Sequence, residues 1–256
     1  MDRTGDLERI ERALTAAAGV LRDYTPGFID ATRKSGGDPV TEADEKVDEL
    51  LRELLPEAGD GWLSEETVDS PARLSASRVW VVDPLDGTRE FVEGIPEWCV
   101  SIGLVEDGVA VAGGIANLVM AQRVVGSLET GVRLNGAPAS VRRVDRIEGA
   151  EVLASRSEVR RGEWDHLVDG PVIVRPMGSV AYKMALVAAG LADATWTLTP
   201  KNEWDVAAGT ALVMAGGGAV LYPDGSVPTF NNRNPLIPGL IAVPTGIEAA
   251  VKELIR

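Results

Sequence analysis

The stretch VWVVDPLDGTREF, from Val79 to Phe91, joins an apolar segment to two closely spaced carboxylates. Its first residues predict a buried β-strand, which ends at Asp83 and Asp86 with a proline between them. Carboxylates held this close suit Mg²⁺, which keeps several waters and uses few protein ligands together with substrate phosphate oxygens. Because Asp-Gly is also a common turn, the motif alone leaves a plain strand-ending loop equally open.

The composition limits the classes of protein to which the chain can belong. Its 256 residues are enough for a substantial core, in one large domain or in two joined halves. The formal net charge of −14 argues against a nucleic-acid polymer as partner, since phosphate backbones select an excess of Lys and Arg. No apolar run is long enough to span a bilayer, and the charged N-terminus lacks the apolar core of a signal peptide. We therefore expect a soluble cytoplasmic protein without a membrane partner.

The single cysteine and the single histidine narrow the possible chemistry. Cys99 lies in the apolar run WCVSIGLV, which predicts a buried structural thiol. His166 stands in a polar segment without partners for a zinc site or a Ser-His-Asp triad, so we expect it on the surface. Any chemistry would therefore be carried by carboxylates, hydroxyl groups and metal ions.

Apolar periodicity predicts two N-terminal helices followed by a β-rich segment. The helices are expected over residues 7–21 and 47–55, with Thr41 and Asp44 forming a capping box before the second. Residues 61–66 are expected to form a loop. The strands that follow are predicted at residues 79–82, 99–105, 109–115 and 119–127.

After residue 136 the pattern changes to alternating strands and helices. The strands are predicted at residues 151–154, 172–174, 194–197, 219–221 and 240–243. The helices are predicted at residues 180–189, 204–214 and 246–254, with Asn202 as a candidate N-cap for the second. This change of pattern predicts two packed subdomains, an N-terminal one over residues 1–145 and a C-terminal one over residues 146–256, built from layers of helices and sheets.

Four segments stand in the order found in the inositol monophosphatase family: GDPVTEAD (Gly37–Asp44), LSEE (Leu63–Glu66), VVDPLDGTREF (Val81–Phe91) and EWDVAAG (Glu203–Gly209). The resemblance covers nearly the whole chain, and four ordered motifs are far more specific than one. It implies an α+β fold, a layered αβαβα sandwich of the inositol monophosphatase and sugar phosphatase type. It also implies a lithium-sensitive, Mg²⁺-dependent hydrolase that acts on a small phosphorylated substrate, as a monomer or a homodimer.

The resemblance assigns a metal-binding role to most of the acidic positions. Glu65, Asp83 and the carbonyl of Leu85 resemble the ligands of a first Mg²⁺, whereas Asp83, Asp86 and Asp205 resemble those of a second. Two metal ions could clamp the attacking and leaving oxygens of a phosphoryl transfer and activate a bound water without any histidine. We therefore expect two or three Mg²⁺ ions, the third being a weaker one.

The resemblance also implies catalytic and substrate-binding residues. Asp44 matches an aspartate near the third metal and its waters, and Glu65 is expected to share in catalysis. Gly87 and Thr88 match a phosphate-binding turn that follows Asp86, and the Thr88 hydroxyl resembles the group that orients the attacking water. Glu66 matches a second acidic position.

Each of these residues has a simpler explanation when it is considered alone. Asp44 could be only a helix cap, and Asp205 falls in the first turn of a predicted helix, where it complements the helix dipole. Glu65 and Glu66 could be a solvated acidic pair, and Lys34 a solvated charge. The order of the motifs, rather than any single residue, favours the functional interpretation.

The substrate is less well determined by the sequence. LSEE and DPLDGTREF resemble the 3′(2′),5′-bisphosphate nucleotidases, which act on adenosine 3′,5′-bisphosphate. Leu198 stands where inositol monophosphatases carry a glutamate that contacts inositol, and Lys201 could meet a second phosphate or be a surface charge. We therefore expect a bisphosphate nucleotidase, with an inositol-1-monophosphatase or another small sugar or polyol phosphate phosphatase as the alternative. A non-catalytic metal- or nucleotide-binding protein is a third and more distant alternative.

Overall fold

Two helices near the N-terminus form the first layer of the molecule. A computed structural model describes residues 3–33 and 39–255. Lys34 and the first two residues of the GDPVTEAD motif lie outside these ranges. Helices α1 (Thr4–Leu21) and α2 (Glu42–Leu54) pack against each other, and two short antiparallel strands, β1 (Thr32–Arg33) and β2 (Pro39–Val40), lie between them in the chain. Both predicted helices and the Thr41–Asp44 capping box are confirmed.

The second layer is a seven-stranded sheet in which the strands follow their order in the chain. Its strands are β3 (Gly61–Ser64), β4 (Arg78–Asp86), β5 (Cys99–Glu106), β6 (Val109–Asn117), β7 (Gln122–Ser127), β8 (Gly131–Leu134) and β9 (Ala137–Ala139). Strands β3 and β4 are parallel, and the other neighbours are antiparallel. Residues 119–121, predicted as the start of a strand, form a turn instead, in which Ala121 has a φ of 50°.

The prediction of a loop over residues 61–66 is wrong for its first four residues, which form β3. This strand is too short to show a period, and it is defined by its pairing with β4, from Gly61 opposite Val79 to Ser64 opposite Val82. A short helix after β4, α3 (Thr88–Glu93), was also not predicted. It has only six residues, too few for an apolar stripe.

The C-terminal half supplies the other three layers. A five-stranded sheet contains β10 (Glu151–Ser155), β11 (Ile173–Met177), β12 (Ala194–Thr197), β14 (Gly218–Leu221) and β16 (Leu240–Pro244), while β13 (Lys201–Asn202) pairs with β15 (Leu236–Ile237). Helices α5 (Val180–Ala188) and α6 (Glu203–Ala215) lie between the seven-stranded sheet, called the large sheet below, and the five-stranded sheet, called the small sheet, and contact strands of both. Helices α4 (Arg156–Arg160) and α7 (Glu248–Leu254) complete the chain, α7 being packed through Val251 on the outer face of the small sheet. The structure is therefore the predicted α+β sandwich of αβαβα type.

Helix α6 is buried on all sides and approaches the large sheet very closely. It contacts β4, β5 and β6 on one side and β14 on the other. A Cβ atom on Gly113 of β6 would lie 2.6 Å from the carbonyl oxygen of Ala208, so this contact requires a glycine. Because the helix is apolar all round, its sequence shows no amphipathic stripe, as expected for a middle layer.

One apolar cluster connects the two sheets through α5 and α6. Residues 140–150 form the chain segment between the last strand of the large sheet and the first strand of the small one. The division into subdomains at residues 145 and 146 stays a prediction, since the core is shared. Within residues 3–33 and 39–255, no helix is long and apolar enough to cross a bilayer.

Candidate active site

Strand β4 brings Asp83 and Asp86 together through an irregularity in its pairing. The register between β4 and β5 shifts between these two residues. Pro84 occupies this bulge, where its missing N–H breaks no ladder hydrogen bond. The Leu85 N–H donates to Asp83 Oδ1 at 3.0 Å and closes the turn. Both aspartates are consequently buried, with 2% and 9% of their surfaces exposed.

Two further carboxylates are fixed by the first turns of helices. The N–H of Thr41 donates to Asp44 Oδ2 at the start of α2, and the N–H of Asn202 donates to Asp205 Oδ2 at the start of α6, both at 2.8 Å. Each pair forms a capping box, which confirms Asn202 as the N-cap. A cap uses one oxygen of the carboxylate, so the capping role and a role in the site are compatible.

Asp44 meets Thr88 with its second oxygen, although the two are distant in the chain. Thr88 Oγ1 lies 2.8 Å from Asp44 Oδ1 and 3.0 Å from the carbonyl oxygen of Leu85. The preceding Gly87 has a φ of 98°, and a Cβ there would lie 2.9 Å from the carbonyl oxygen of Glu97. Only glycine fits that position without displacing backbone, so the turn into α3 is sterically determined.

Glu65 directly follows β3, in a loop that is fixed by hydrogen bonds to a side chain of α2. The Glu65 N–H donates to the carbonyl of Val82 at 3.3 Å, which continues the pairing with β4. Asp48 of α2 is buried and accepts hydrogen bonds from the hydroxyl groups of Ser64 and Thr67. Asp48 was not identified from the sequence, because it occupies an ordinary polar position of a helix. Its hydrogen-bond partners lie in β3 and in the loop that follows.

The carboxylates repel one another in the absence of a counter-ion. Burial raises the pKa of Asp83, and the negative charges of Glu65, Asp86 and Asp205 raise it further. Burial and the same kind of repulsion raise the pKa of Asp205 to about 8. Four mutually repelling carboxylates are the donor chemistry that a hard divalent cation requires, so the residues fit Mg²⁺. Over the described parts of the chain, no three His, Cys, Asp or Glu side chains form a group already placed to hold a metal ion, so the fit lies in the chemistry of the donors.

Asp86 connects the large sheet to the start of α5. Its Oδ2 accepts hydrogen bonds from Ser179 Oγ and from the Ala181 N–H, each at 2.6 Å. Ser179 caps α5 by accepting from the Tyr182 N–H, with a φ of 52° that is strained for a residue other than glycine. Cys99 is buried as predicted, with its Sγ 3.4 Å from Ser179 Oγ.

A cavity of about 250 Å³ opens beside these groups. Its lining includes Glu65, Asp86, Gly87, Thr88, Asp205, Lys183 and Lys201. Most of the predicted site residues therefore meet in one place. Asp44, Asp83 and Leu85 are buried behind the lining and connect to it through Thr88 and the β4 turn.

Two lysines give the cavity a cationic side. Lys183 of α5 is 2% exposed, donates to the Met177 carbonyl at 3.3 Å, and has its pKa lowered to about 8 by burial. It was missed in the sequence, where the only signal is a lysine inside the apolar helix VAYKMALVA. Lys201 Nζ lies 3.7 Å from the carboxylate of Glu158. Leu198 is 49% exposed and lines a separate small cavity, and His166 is exposed as predicted.

Comparisons with known proteins agree with this fold. The profile of the inositol monophosphatase family matches residues 6–255. An inositol-1-monophosphatase of Mesorhizobium japonicum is 33% identical over 95% of this chain and 94% of that protein. The extragenic suppressor protein suhB from Bartonella henselae has a TM-score of 0.83 and 26% identity, with 99% of both chains covered. The inositol monophosphatase from Anabaena has a TM-score of 0.83 and 25% identity, with 99% of this chain and 96% of that chain covered.

Fold, site and comparisons define a phosphatase, a hydrolase of phosphoric monoesters that acts on small phosphorylated substrates. The chain belongs to the inositol monophosphatase family, whose members are metal-dependent and generally use Mg²⁺. Relatives and solved structures similar to this chain are named inositol monophosphatases or suhB rather than bisphosphate nucleotidases. The comparisons therefore favour the alternative substrate class over the nucleotidase expected from the motifs.

Proposed function

We propose that the chain hydrolyses a small phosphomonoester with Mg²⁺ bound between β4 and the first turns of α2 and α6. The observation that carries this proposal is the 2.8 Å hydrogen bond between the Thr88 hydroxyl and Asp44, just after the strand that carries Asp83 and Asp86. Phosphate hydrolysis depends on aligning a water with the phosphorus and on neutralising spread negative charge. A hydroxyl held by a carboxylate next to a cation site supplies both requirements.

The proposed ligands of one ion are Glu65, Asp83 and the Leu85 carbonyl, and those of a second are Asp83, Asp86 and Asp205. Bound Mg²⁺ would neutralise phosphate charge and lower the pKa of a water molecule. The repulsion among these buried carboxylates supports the ligand set, because a divalent cation would remove it. Asp44 is proposed to lie near a third, weaker site.

Thr88 and Asp44 are proposed to orient the attacking water. The Thr88 hydroxyl has a single proton, which it donates to Asp44 or to the Leu85 carbonyl. Its lone pairs therefore remain available to accept a hydrogen bond from water. A water held in this way keeps its own lone pair for attack on the phosphorus, while a carboxylate oxygen of Asp44 or Glu65 would accept its proton as a general base.

The names of the relatives support inositol 1-phosphate as the first substrate to test. Adenosine 3′,5′-bisphosphate is a second candidate because Lys183 and Lys201 line the cavity beside the carboxylates. A buried ammonium such as that of Lys183 is strongly stabilised by an anionic partner, and a second phosphate would supply one. Leu198 lies outside this cavity lining, so it offers a polyol no acceptor there.

The decisive experiment measures phosphate release from both substrates with and without Mg²⁺. Asp86→Asn should abolish release because it removes a proposed ligand, whereas Asp169→Asn, a change at an exposed position, should leave it unchanged. Lithium at millimolar concentration or below should inhibit. Absence of Mg²⁺-dependent release from any small phosphomonoester would contradict the proposal.

A lysine comparison separates the two substrates. If the bisphosphate is the substrate, Lys183→Met should raise its KM about tenfold or more, the scale of a lost charge-assisted contact, and should leave release from inositol 1-phosphate nearly unchanged. Lys252→Met is the matched control, because Lys252 pairs with Glu248 on α7. Equal effects of the two substitutions would exclude a second phosphate contact at Lys183.

A further inference from the structure

Glu158 is a buried carboxylate close to the cavity but outside the proposed machinery. It lies on α4 with 1% of its surface exposed. The indole N–H of Trp164 donates to its Oε2 at 3.2 Å, and the hydroxyl of Thr197 donates to its Oε1. Trp164 is itself stacked on Trp196 at 5.0 Å between ring centroids. The Glu158 carboxylate is consequently fixed by the core of the C-terminal half.

The third neighbour of Glu158 is the ammonium group of Lys201. Lys201 Nζ lies 3.7 Å from Glu158 Oε1, with 16% of the lysine side chain and 2% of the glutamate side chain exposed. Lys201 also lines the cavity that contains Asp86 and Asp205, and its positive charge acts on both of these carboxylates. One lysine therefore lies between a buried anchor and the proposed metal ligands.

Because a lysine side chain is flexible, the Lys201 ammonium group could move if its contact with Glu158 were lost. An ammonium released from this contact would have the exposed Glu163 and the carboxylates of the cavity, Asp86 and Asp205, as neighbouring anionic groups. A lysine paired with those carboxylates would compete with a divalent cation for the same oxygens. The same movement would remove the lysine from the place where it can meet an anionic group of the substrate.

We propose that Glu158 is a positioning residue that holds the Lys201 ammonium away from Asp86 and Asp205, leaving these carboxylates free for Mg²⁺. This inference rests on the proposed function, since it concerns the same cation site. A purely structural role, in which Glu158 only supports Trp164 and Thr197, predicts a different outcome. In that case the effect of removing its charge would not depend on Lys201.

The test is a double-mutant cycle on Mg²⁺ binding, measured by titration calorimetry without substrate. Glu158→Gln should weaken Mg²⁺ binding about fivefold or more, the scale of a charge interaction at a partly exposed site. Lys201→Met alone should not weaken it, and Glu158→Gln in the Lys201→Met background should have little further effect. Glu248→Gln is the matched control, because Glu248 pairs with Lys252 within α7, so Mg²⁺ affinity should stay at the wild-type value.

Three results would overturn the proposal: an equal effect of Glu158→Gln in both backgrounds, no effect in either, or weaker Mg²⁺ binding in Lys201→Met alone. The last result can be obtained even if Glu158→Gln does not fold, a point checked by thermal unfolding in a chelator. Wild-type protein that binds no Mg²⁺ would refute the proposed function and this inference together. If the wild-type protein binds Mg²⁺ but the effects of the Glu158 and Lys201 substitutions simply add, only the positioning role of Glu158 is refuted.

Discussion

Asp44 combines a structural and a proposed chemical role in one side chain. Its capping of α2 could be predicted, because Thr41 and Asp44 are close in the sequence. Its contact with Thr88 was not predicted, since the two residues meet through the packing of α2 beside the end of β4. Lys183 escaped prediction for the same reason: its position in the cavity depends on where α5 begins relative to Asp86.

Substitution of Thr88 tests the proposed orientation of water. Thr88→Val removes the hydroxyl and keeps the side-chain shape, so kcat should fall at least about a hundredfold with a smaller change in KM. Thr88→Ser should retain most of the turnover. Thr15→Val is the control, because the Thr15 hydroxyl lies on the exposed side of α1, where it donates to the Glu11 carbonyl and accepts from Arg123, outside the lining of the cavity. Steady-state phosphate release would contradict the role if the valine and serine variants turned over equally.

Substitution of Asp83 tests the repulsion within the carboxylate cluster. In a chelator, Asp83→Asn removes a buried negative charge that Glu65, Asp86 and Asp205 oppose. The midpoint of thermal unfolding should therefore stay equal to that of wild type or rise by about 3 °C, while Mg²⁺ should no longer stabilise the variant as it does wild type. Calorimetric scans with and without Mg²⁺ measure both effects. A variant that unfolded earlier in the chelator, or that kept most of its turnover, would refute the two-metal assignment.

At the scale of elements, prediction succeeded for segments whose apolar residues recur at a regular spacing. It failed for segments whose structure is defined by pairing with a neighbouring strand. The helices α1 and α2 were predicted from their apolar spacing, and α2 also from its capping box. Strand β3 exists only through its pairing with β4, and the bulge of β4 depends on the register with β5. These two features are the ones that bring Glu65, Asp83 and Asp86 together, so the geometry of the site was less predictable than the fold.

The start of α5 stores strain that can be measured. Ser179 caps this helix with a φ of 52° and donates to Asp86. Ser179→Ala loses the cap and keeps the strain, whereas Ser179→Gly loses the cap and relieves it. The alanine variant should therefore be less stable than the glycine variant by about 1 kcal/mol. Denaturant titration of the two proteins measures the difference, and a more stable alanine variant would show that this backbone is unstrained.

At the scale of the whole molecule, an ionic cluster anchors the start of α1 to the ends of interior strands of the large sheet. Arg3 is 4% exposed and bonds to Glu106 through two nitrogens at 2.5 Å. It also pairs with Asp6 and Glu129, and Arg78 bonds to both Asp6 and Glu106. The five side chains join α1 to β4, β5 and the turn after β7, none of which is adjacent to α1 in the sequence.

This cluster predicts how the stability of the protein depends on pH. Hydrogen bonds from Arg3 hold the pKa of Glu106 below its ordinary value of 4.5. A carboxyl with a lowered folded-state pKa contributes stability that is complete above its ordinary pKa and is lost as the pH falls through the lowered value. Glu106→Gln should therefore destabilise the protein by about 2 to 4 kcal/mol at pH 7, and by progressively less as the pH falls below 4.5.

Urea unfolding at a series of pH values measures this dependence. Glu42→Gln is the control, because its pair with Lys46 is exposed on α2, and its stability should follow that of wild type at every pH. A constant difference between wild type and Glu106→Gln across the series would contradict the assignment.

The close approach of α6 to β6 at Gly113 has a consequence for the choice of cation. Asp205 belongs to the helical layer, whereas Asp83 and Asp86 belong to the sheet, so the thickness of this interlayer sets how far apart their oxygens lie. Mg²⁺ accepts oxygens at about 2.0 to 2.1 Å, and Ca²⁺ prefers about 2.3 to 2.6 Å. A methyl group at position 113, only 2.6 Å from a helix carbonyl, would move the layers apart. If these carboxylates hold the cation as proposed, a larger residue at position 113 should shift their selectivity from the smaller ion toward the larger.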